Sequence, residues 1–425
     1  MGARTARPPP AVLTLFATES VMAVGISALD VEHVHGLEVV PYRDDELIVV
    51  CLVRDGRPWI EAFIEHYFSL GARHIVFLDN GSSDATVPVA AGHDNVTVLR
   101  STLPFDRYEL LLRQYLIGRF GKGRWSLCVD VDELFDYPYS DVIGLDSLLG
   151  YLHGKSYTAV AAQMLDMFPE DPLTGPDGEP EGAFRERHTL YDLSALKRKD
   201  VEQHSGRNNL FGRGDVEVLA GGIRETVFGV MPRLTKFPLV FSDGAVKPVE
   251  ESPHHIDNAR IADFSCVLLH YKYVGNFHEH AAQAVREENH WNGSAQYKQY
   301  LEVLRKNPRL TLRQDTSQEL ESVNELLEEQ FLVVSEDYVA WVDAEEARTL
   351  PRSRRQMSSE SLLEARRLDR AKTLRIQRLE KRLRDLGREV EESARTKRRL
   401  RRRIRTLKVR LEGTQTDPEA GTDTG

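Results

Sequence analysis

Apolar and polar positions alternate in blocks that predict a strand–helix–strand chain over residues 46–145. Glu46–Val53 (ELIVVCLV) is a short β-branched apolar run, as expected of a buried strand. Pro58 opens a helical pattern. Trp59, Ile60, Phe63, Ile64, Tyr67, Phe68 and Leu70 recur at three- and four-residue steps, and Gly71 closes it. His74–Leu78 is a second strand and stops at a polar turn, Asp79 to Asp84; Val96–Leu99 is a third. Phe105–Phe120 is a second helix, and Trp125–Val129 a fourth strand that ends at Asp130. Such alternation implies an α/β fold with a mostly parallel sheet flanked by helices.

Residues 150–275 are less regular: Thr158–Met164 and Val267–Tyr271 read as strands, and Glu170 to Pro180 as an exposed Pro/Gly/Asp turn cluster. His278 to Leu304 is polar and helical in composition. A heptad seam follows at Ile376, Leu379, Leu383, Leu386, Val390, Ser393, Lys397, Leu400, Ile404, Leu407 and Leu411. Sustained three–four spacing with charged flanks predicts an α-helical coiled coil. The expected organisation is a flexible leader (1–42, with Met22 an alternative start), an α/β domain (43–310), a helical extension or linker (311–358), a basic coiled coil (359–412) and a disordered tail (413–425).

Charge sharpens that division. Residues 352–412 carry 23 Lys/Arg against 9 Asp/Glu, and residues 1–351 carry 33 against 54. An acidic body is joined to a basic helix. Oligomerisation through the heptads is the preferred reading of that helix. The run Arg398-Arg399-Leu400-Arg401-Arg402-Arg403 also fits an anionic membrane surface. Nucleic acid is disfavoured, because neither aromatic interleaving nor a groove-binding module accompanies the charge. Three separated cysteines (Cys51, Cys128, Cys266) argue against a disulfide framework and for a reducing compartment. No run of 18 apolar residues exists, so the expected location is cytoplasmic, with peripheral contact at the inner membrane face an option.

Ligands of open parallel sheets bind beyond the carboxyl ends of strands. Three polar clusters fall there: Arg54-Asp55, Asp79 to Asp84, and Asp130-Val131-Asp132-Glu133. Asp130 and Asp132, one residue apart after an apolar strand, repel one another unless a cation intervenes. Mg²⁺ or Mn²⁺ suits such oxygen ligands and commonly also holds substrate phosphates. A solvated acidic turn is the plain alternative. Asp79 could accept hydrogen bonds from a base or ribose, or could simply start an Asx turn. Arg224 and Lys236 could pair with phosphate, or be solvated surface groups. Adjacent His254 and His255 on one strand would point opposite ways and rarely share an ion. Trp291 and Tyr297 could stack on a sugar, although a helix packing its aromatic face on the core is the plainer reading.

The segments CLVRDGRPWIEAFIEHYFSLGARHIVFLDNGSSDAT and RWSLCVDVDELFDYP resemble the amino-terminal half of family-2-like GT-A glycosyltransferases, in the subgroup related to the family-92 enzymes. Glu61, Glu65, His66, Gly71, Asp79 to Asp84 and Asp130 to Phe135 carry the resemblance. Weaker blocks follow at Gly221–Arg224, Leu234–Leu239 and Leu268–Lys272, so that it spans roughly residues 46–300. Arg54-Asp55 stands where that family usually has Asn-Glu, which bears on the donor's base or sugar. The resemblance implies a GT-A nucleotide-diphospho-sugar transferase that moves a sugar from a UDP- or GDP-linked donor to a glycan or other hydroxyl acceptor. It implies that Arg54, Asp79 and Asp130 meet the nucleotide, that Asp130 and Asp132 hold metal and diphosphate, and that His270 completes the metal site. An inverting enzyme also needs a base within reach of the acceptor hydroxyl. Glu225 is the first candidate, and Asp166, Asp243 and His254 are alternatives. Two other classes compete: an Asp-X-Asp phosphatase-like hydrolase, disfavoured by Glu133-Leu134-Phe135 directly after the motif, and a non-catalytic coiled-coil adaptor.

Overall fold

The seven residues of LIVVCLV are all buried, as expected of a strand covered on both faces. They form the centre of the sheet in a computed structural model that describes residues 30–173, 183–212, 216–249, 252–275, 277–287, 291–349 and 358–413. Residues 1–29 of the expected leader, 174–180 of the turn cluster and 414–425 of the expected tail lie outside the described residues. The chain divides into two compact units, residues 1–350 and 351–425.

In the first unit, short two-residue ribbons aside, the strands that build the main sheet and its neighbouring ribbon are β1 (Glu32–His35), β2 (Leu47–Val53), β3 (His74–Asp79), β4 (Val96–Arg100), β5 (Trp125–Val129), β6 (Glu133–Asp136), β7 (Ala159–Asp166), β8 (Leu196–Asp200), β9 (Leu210–Phe211), β10 (Glu217–Gly221), β11 (Thr235–Phe241) and β12 (Arg260–His270). Among the described residues the main sheet runs β1-β4-β3-β2-β5-β11-β7-β12-β9, with β6 also paired to β12. Strands β4, β3, β2 and β5 are mutually parallel. The other half is mixed. β11 runs antiparallel to both β5 and β7, while β7 and β12 are parallel. β8 and β10 form a separate antiparallel ribbon.

Helix α1 (Ile60–Leu70) covers one face of the parallel half, where Phe63 meets Phe77 with ring centroids 5.5 Å apart. It ends at Gly71, whose φ of 107° is a left-handed conformation that costs glycine little. After α2 (Thr86–Ala90), α3 (Phe105–Phe120) covers the other face with Leu112, Leu116 and Ile117 against Ile48, Val50, Leu52 and Val76. The local periodicity gave α1 and α3 to within two residues, whereas α2 was not expected. Glu32–His35, expected inside the leader, is instead an edge strand antiparallel to β4. Its alternating exposed and half-buried residues suit an edge with one covered face.

Helices α4 (Leu145–Gly154), α5 (Ile223–Phe228), α6 (Phe277–Glu287), α7 (Trp291–Lys306) and α8 (Glu336–Thr349) complete the first unit's longer elements. α8 lies in the stretch expected to be a helical extension or linker, and its Tyr338 is fully buried. That ring stacks on Phe264 of β12 at 4.1 Å, and its hydroxyl donates to Pro138 O at 2.9 Å. Among the described residues the second unit is one helix, α9 (Ser358–Gly413). No helix among the described residues is long and apolar enough to cross a membrane.

Candidate active site

The sheet order brings the three polar clusters together. β2 ends next to β3 on one side and β5 on the other, so the turns after these strands share one edge. The first two turns are laced: the Asp55 N–H donates to Ser82 Oγ at 2.8 Å, and the Ser83 N–H donates to Asp55 Oδ1 at 2.7 Å. Asp79 is fully buried. Its Oδ1 accepts from the Ser82 N–H at 3.0 Å and its Oδ2 from Arg100 Nε at 3.0 Å. Arg54 lies between Asp55 (3.8 Å) and Glu287 at the end of α6 (3.3 Å).

β11 runs against β5, so its first residues reach the edge where β5 finishes. Lys236 therefore meets the Asp-Val-Asp turn. Its Nζ donates to Asp130 Oδ2 at 2.8 Å and to Glu133 Oε1 at 2.6 Å. Arg113, on the inner face of α3 and only 4% exposed, donates from Nη2 to Asp130 Oδ1 at 2.5 Å and from Nε to Glu109 at 3.0 Å. Burial alone would raise the Asp130 carboxyl, but Arg113 and Lys236 overturn that and hold it far below the carboxylate range. Glu133, fully buried, is pushed up by desolvation despite Lys236.

Asp132 faces a different set. β12 ends at His270, which is in register with Asp166 on β7 and with Glu133 on β6. His270 Nε2 lies 3.3 Å from Asp132 Oδ2. Its Nδ1 donates to Asp166 Oδ1 at 2.6 Å, and Arg224 Nε holds Asp166 Oδ2 at 2.7 Å. Burial would raise the Asp166 carboxyl, yet Arg224 and His270 bring it down to about 2. An ionised Asp166 fixes the proton on Nδ1. A neutral His270 would then aim its Nε2 lone pair at the Asp132 carboxylate. That arrangement is stable when Nε2 is protonated or when a cation lies between the two groups. In the protein alone, burial lowers the imidazole pKa, but Asp132 and Asp166 outweigh it and raise it.

Backbone bonds brace the turn. The Tyr271 N–H donates to Asp132 O at 2.8 Å, and Trp59 Nε1 donates to Tyr271 O at 2.8 Å. The Tyr67 hydroxyl donates to Glu133 O at 2.8 Å. Lys272, next along, donates to the Tyr297 hydroxyl at 3.0 Å and lies 4.7 Å from that ring's centroid.

A divalent ion fits part of this set. Asp132 and His270 offer it oxygen and nitrogen. Both Asp130 oxygens already accept from cations, which leaves Asp132 and His270 the less engaged donors. Among the described residues no three His, Cys, Asp or Glu side chains are grouped to hold an ion. An ion here would complete its shell from phosphate oxygens and water, as Mg²⁺ commonly does.

The base candidates are dispersed. Glu225 forms an ion pair with Lys197 of β8, and its Oε2 is shielded without a hydrogen-bond partner. Asp243 caps its own turn through the Ala245 and Val246 N–H groups. His254 bonds Thr235 O at 2.8 Å, with its pKa lowered by burial to about 3. His255 instead meets Arg233 at 3.0 Å. Sequence reading overlooked Arg113. Its one local signal is a basic residue on the apolar stripe of α3.

No protein-family model matches the chain, and no curated protein does. Among solved structures, glucosyl-3-phosphoglycerate synthase from Mycobacterium tuberculosis, in complex with Mn²⁺, UDP-glucose and phosphoglyceric acid, is 17% identical. The match covers 33% of this chain and 52% of that one, with a TM-score of 0.17. UDP-glucose pyrophosphorylase complexed with UDP-glucose is 8% identical over 57% of this chain and 79% of that one, with a TM-score of 0.19. The chain thus spans about half the length of the first of these proteins.

Proposed function

We propose that this protein is a glycosyltransferase that binds a nucleoside-diphosphate sugar together with Mn²⁺ or Mg²⁺ and transfers the sugar to a hydroxyl acceptor. One observation carries the reading: Asp132 and His270 face one another at 3.3 Å, with the far side of His270 tied to Asp166. Carboxylate–histidine–metal arrangements use the outer carboxylate to fix the ring. When bound there, the ion would neutralise charge developing on the departing diphosphate. Asp132 and His270 would hold it, and Asp166, locked by Arg224, would keep His270 in its tautomer. Arg113 and Lys236 keep Asp130 ionised and in place, so that it can accept from a ribose hydroxyl. Arg54 would border the space for the nucleoside, and Asp79 would act there by bracing the turn through Ser82. Lys272 supplies a further cation on the His270 side, where it can meet phosphate.

For an inverting reaction the proposed base is Glu225. The preceding residue, Arg224, reaches Asp166, and Oε2 of Glu225 has no hydrogen-bond partner. The test is release of nucleoside diphosphate from a panel of UDP- and GDP-sugars with mixed hydroxyl acceptors. Turnover with one nucleotide series, abolished by Asp132→Ala, is expected. Equal turnover by Asp132→Ala would overturn the assignment.

A further inference from the structure

The long helix α9 carries an apolar stripe that the reading above does not use. Ile376, Leu379, Leu383, Leu386, Val390 and Leu400 are all large apolar residues, and they are between 42% and 70% exposed. They fall on the a and d positions of one heptad frame. A helix of 56 residues with a largely apolar seam needs a partner for that face.

We infer that the partner is a second copy of this chain, and that the two α9 helices pair as a parallel, in-register, two-stranded coiled coil. The strict alternation of three- and four-residue steps calls for a left-handed supercoil. The a positions are Ile376, Leu383, Val390, Lys397, Ile404 and Leu411, and the d positions are Leu379, Leu386, Ser393, Leu400 and Leu407. β-branched residues at several a positions with leucine at most d positions favour two strands. Lys397 acts in the same direction. In a dimer its long stem can lie along the seam while the ammonium reaches water. A trimer or tetramer would enclose that charge.

The flanking charges favour the parallel orientation. A parallel pair sets each g position against the e position five residues on in the other copy. That joins Arg375 to Glu380, opposite in sign, and brings one like-charged pair, Arg403 and Lys408, together. An antiparallel pair sets g against g, and four of the g positions, Arg375, Arg382, Arg403 and Arg410, are arginine. Ser393 and Lys397 interrupt the apolar seam at adjacent d and a positions. In register they meet their own counterparts. A one-heptad slip would set both against leucine, isoleucine or valine layers and add two more mixed layers, so the polar pair fixes the register.

The test uses the full chain. Light scattering behind size exclusion and sedimentation equilibrium should give twice 48.3 kDa at micromolar concentration. Leu383→Asp with Leu386→Asp places charge on the exposed seam. It should weaken association by more than about 100-fold, on the ordinary cost of losing buried leucines. Nucleotide binding by that variant should be unchanged, so failure of the pairing and failure of the proposed activity are separable. Leu379→Cys reports orientation. In the parallel dimer two copies of residue 379 are adjacent and form a disulfide under mild oxidation that the wild type does not. A monomeric or trimeric wild type would overturn the inference. So would cross-linking that requires Leu379→Cys on one chain and Ile404→Cys on the other.

Discussion

Replacing Lys236 by methionine removes the cation that Glu133 shares with Asp130, at nearly constant side-chain length. Lys236 Nζ is 2.6 Å from Glu133 and 2.8 Å from Asp130, with Lys236 10% and Glu133 1% exposed at the side chain. Breaking a buried pair by deleting one partner costs about 3–5 kcal/mol. The sign with pH follows from Glu133. Burial already raises its folded-state pKa, and in the variant the Asp130 charge would act without Lys236 to oppose it. A carboxyl with a raised folded-state pKa keeps its stability below the unfolded value near 4.3 and loses it as pH rises through the folded one. The deficit of Lys236→Met should therefore be largest at pH 8 and shrink toward pH 5, at up to about 1.4 kcal/mol per unit. Urea unfolding of both proteins across that range, with EDTA present, measures it. Lys236→Met with Glu133→Gln should recover much of the loss at pH 8. A deficit under about 1 kcal/mol, or one constant with pH, would refute the reasoning.

Four further outcomes follow from the same contacts. His66 is buried with its pKa lowered by desolvation to about 4, and its ring bonds Phe135 O at 2.8 Å. Because the folded pKa is depressed, wild-type stability should fall as pH drops from 6.5 toward 4. His66→Gln should remove up to about 3 kcal/mol of that dependence in urea titrations. Tyr338→Ala, which deletes the ring stacked on Phe264, should cost about 3–5 kcal/mol in the same assay; a change under 1 kcal/mol would mean that α8 is no part of the core. Asp166→Asn should lower metal-dependent nucleotide affinity by roughly 10–100-fold, the usual effect of losing a carboxylate behind a metal-bound histidine, as read by calorimetry. Glu225→Gln should reduce turnover by roughly 100-fold or more with donor affinity intact; undiminished turnover would exclude it as the base.

The parallel half of the fold was legible because each element is decided locally. LIVVCLV is apolar throughout, α1 has its stripe and its closing glycine, and the Asp-Val-Asp turn follows an apolar strand. Those features also located Asp79, Asp130 and Asp132. What was hidden depends on pairing between distant strands. Thr235–Phe241 is apolar enough to be a strand, but nothing within it says that it runs antiparallel between β5 and β7. That insertion carries Lys236 to the Asp-Val-Asp turn. Likewise the register of β12 with β7 turns two remote residues, Asp166 and His270, into neighbours. The carboxylate repulsion seen in sequence was real. At Asp130 it is answered by Arg113 and Lys236, and His270 faces Asp132. β1 was missed because half of its residues face water, which leaves too little apolar signal in four positions.

The central claim is tested most directly by calorimetric titration of the full chain with UDP and with GDP, each with Mn²⁺ and with EDTA, alongside Asp132→Ala. Binding of one nucleotide that needs Mn²⁺ and disappears in Asp132→Ala is the predicted result. Binding that persists unchanged in EDTA or in Asp132→Ala, or no binding of either nucleotide, would contradict it.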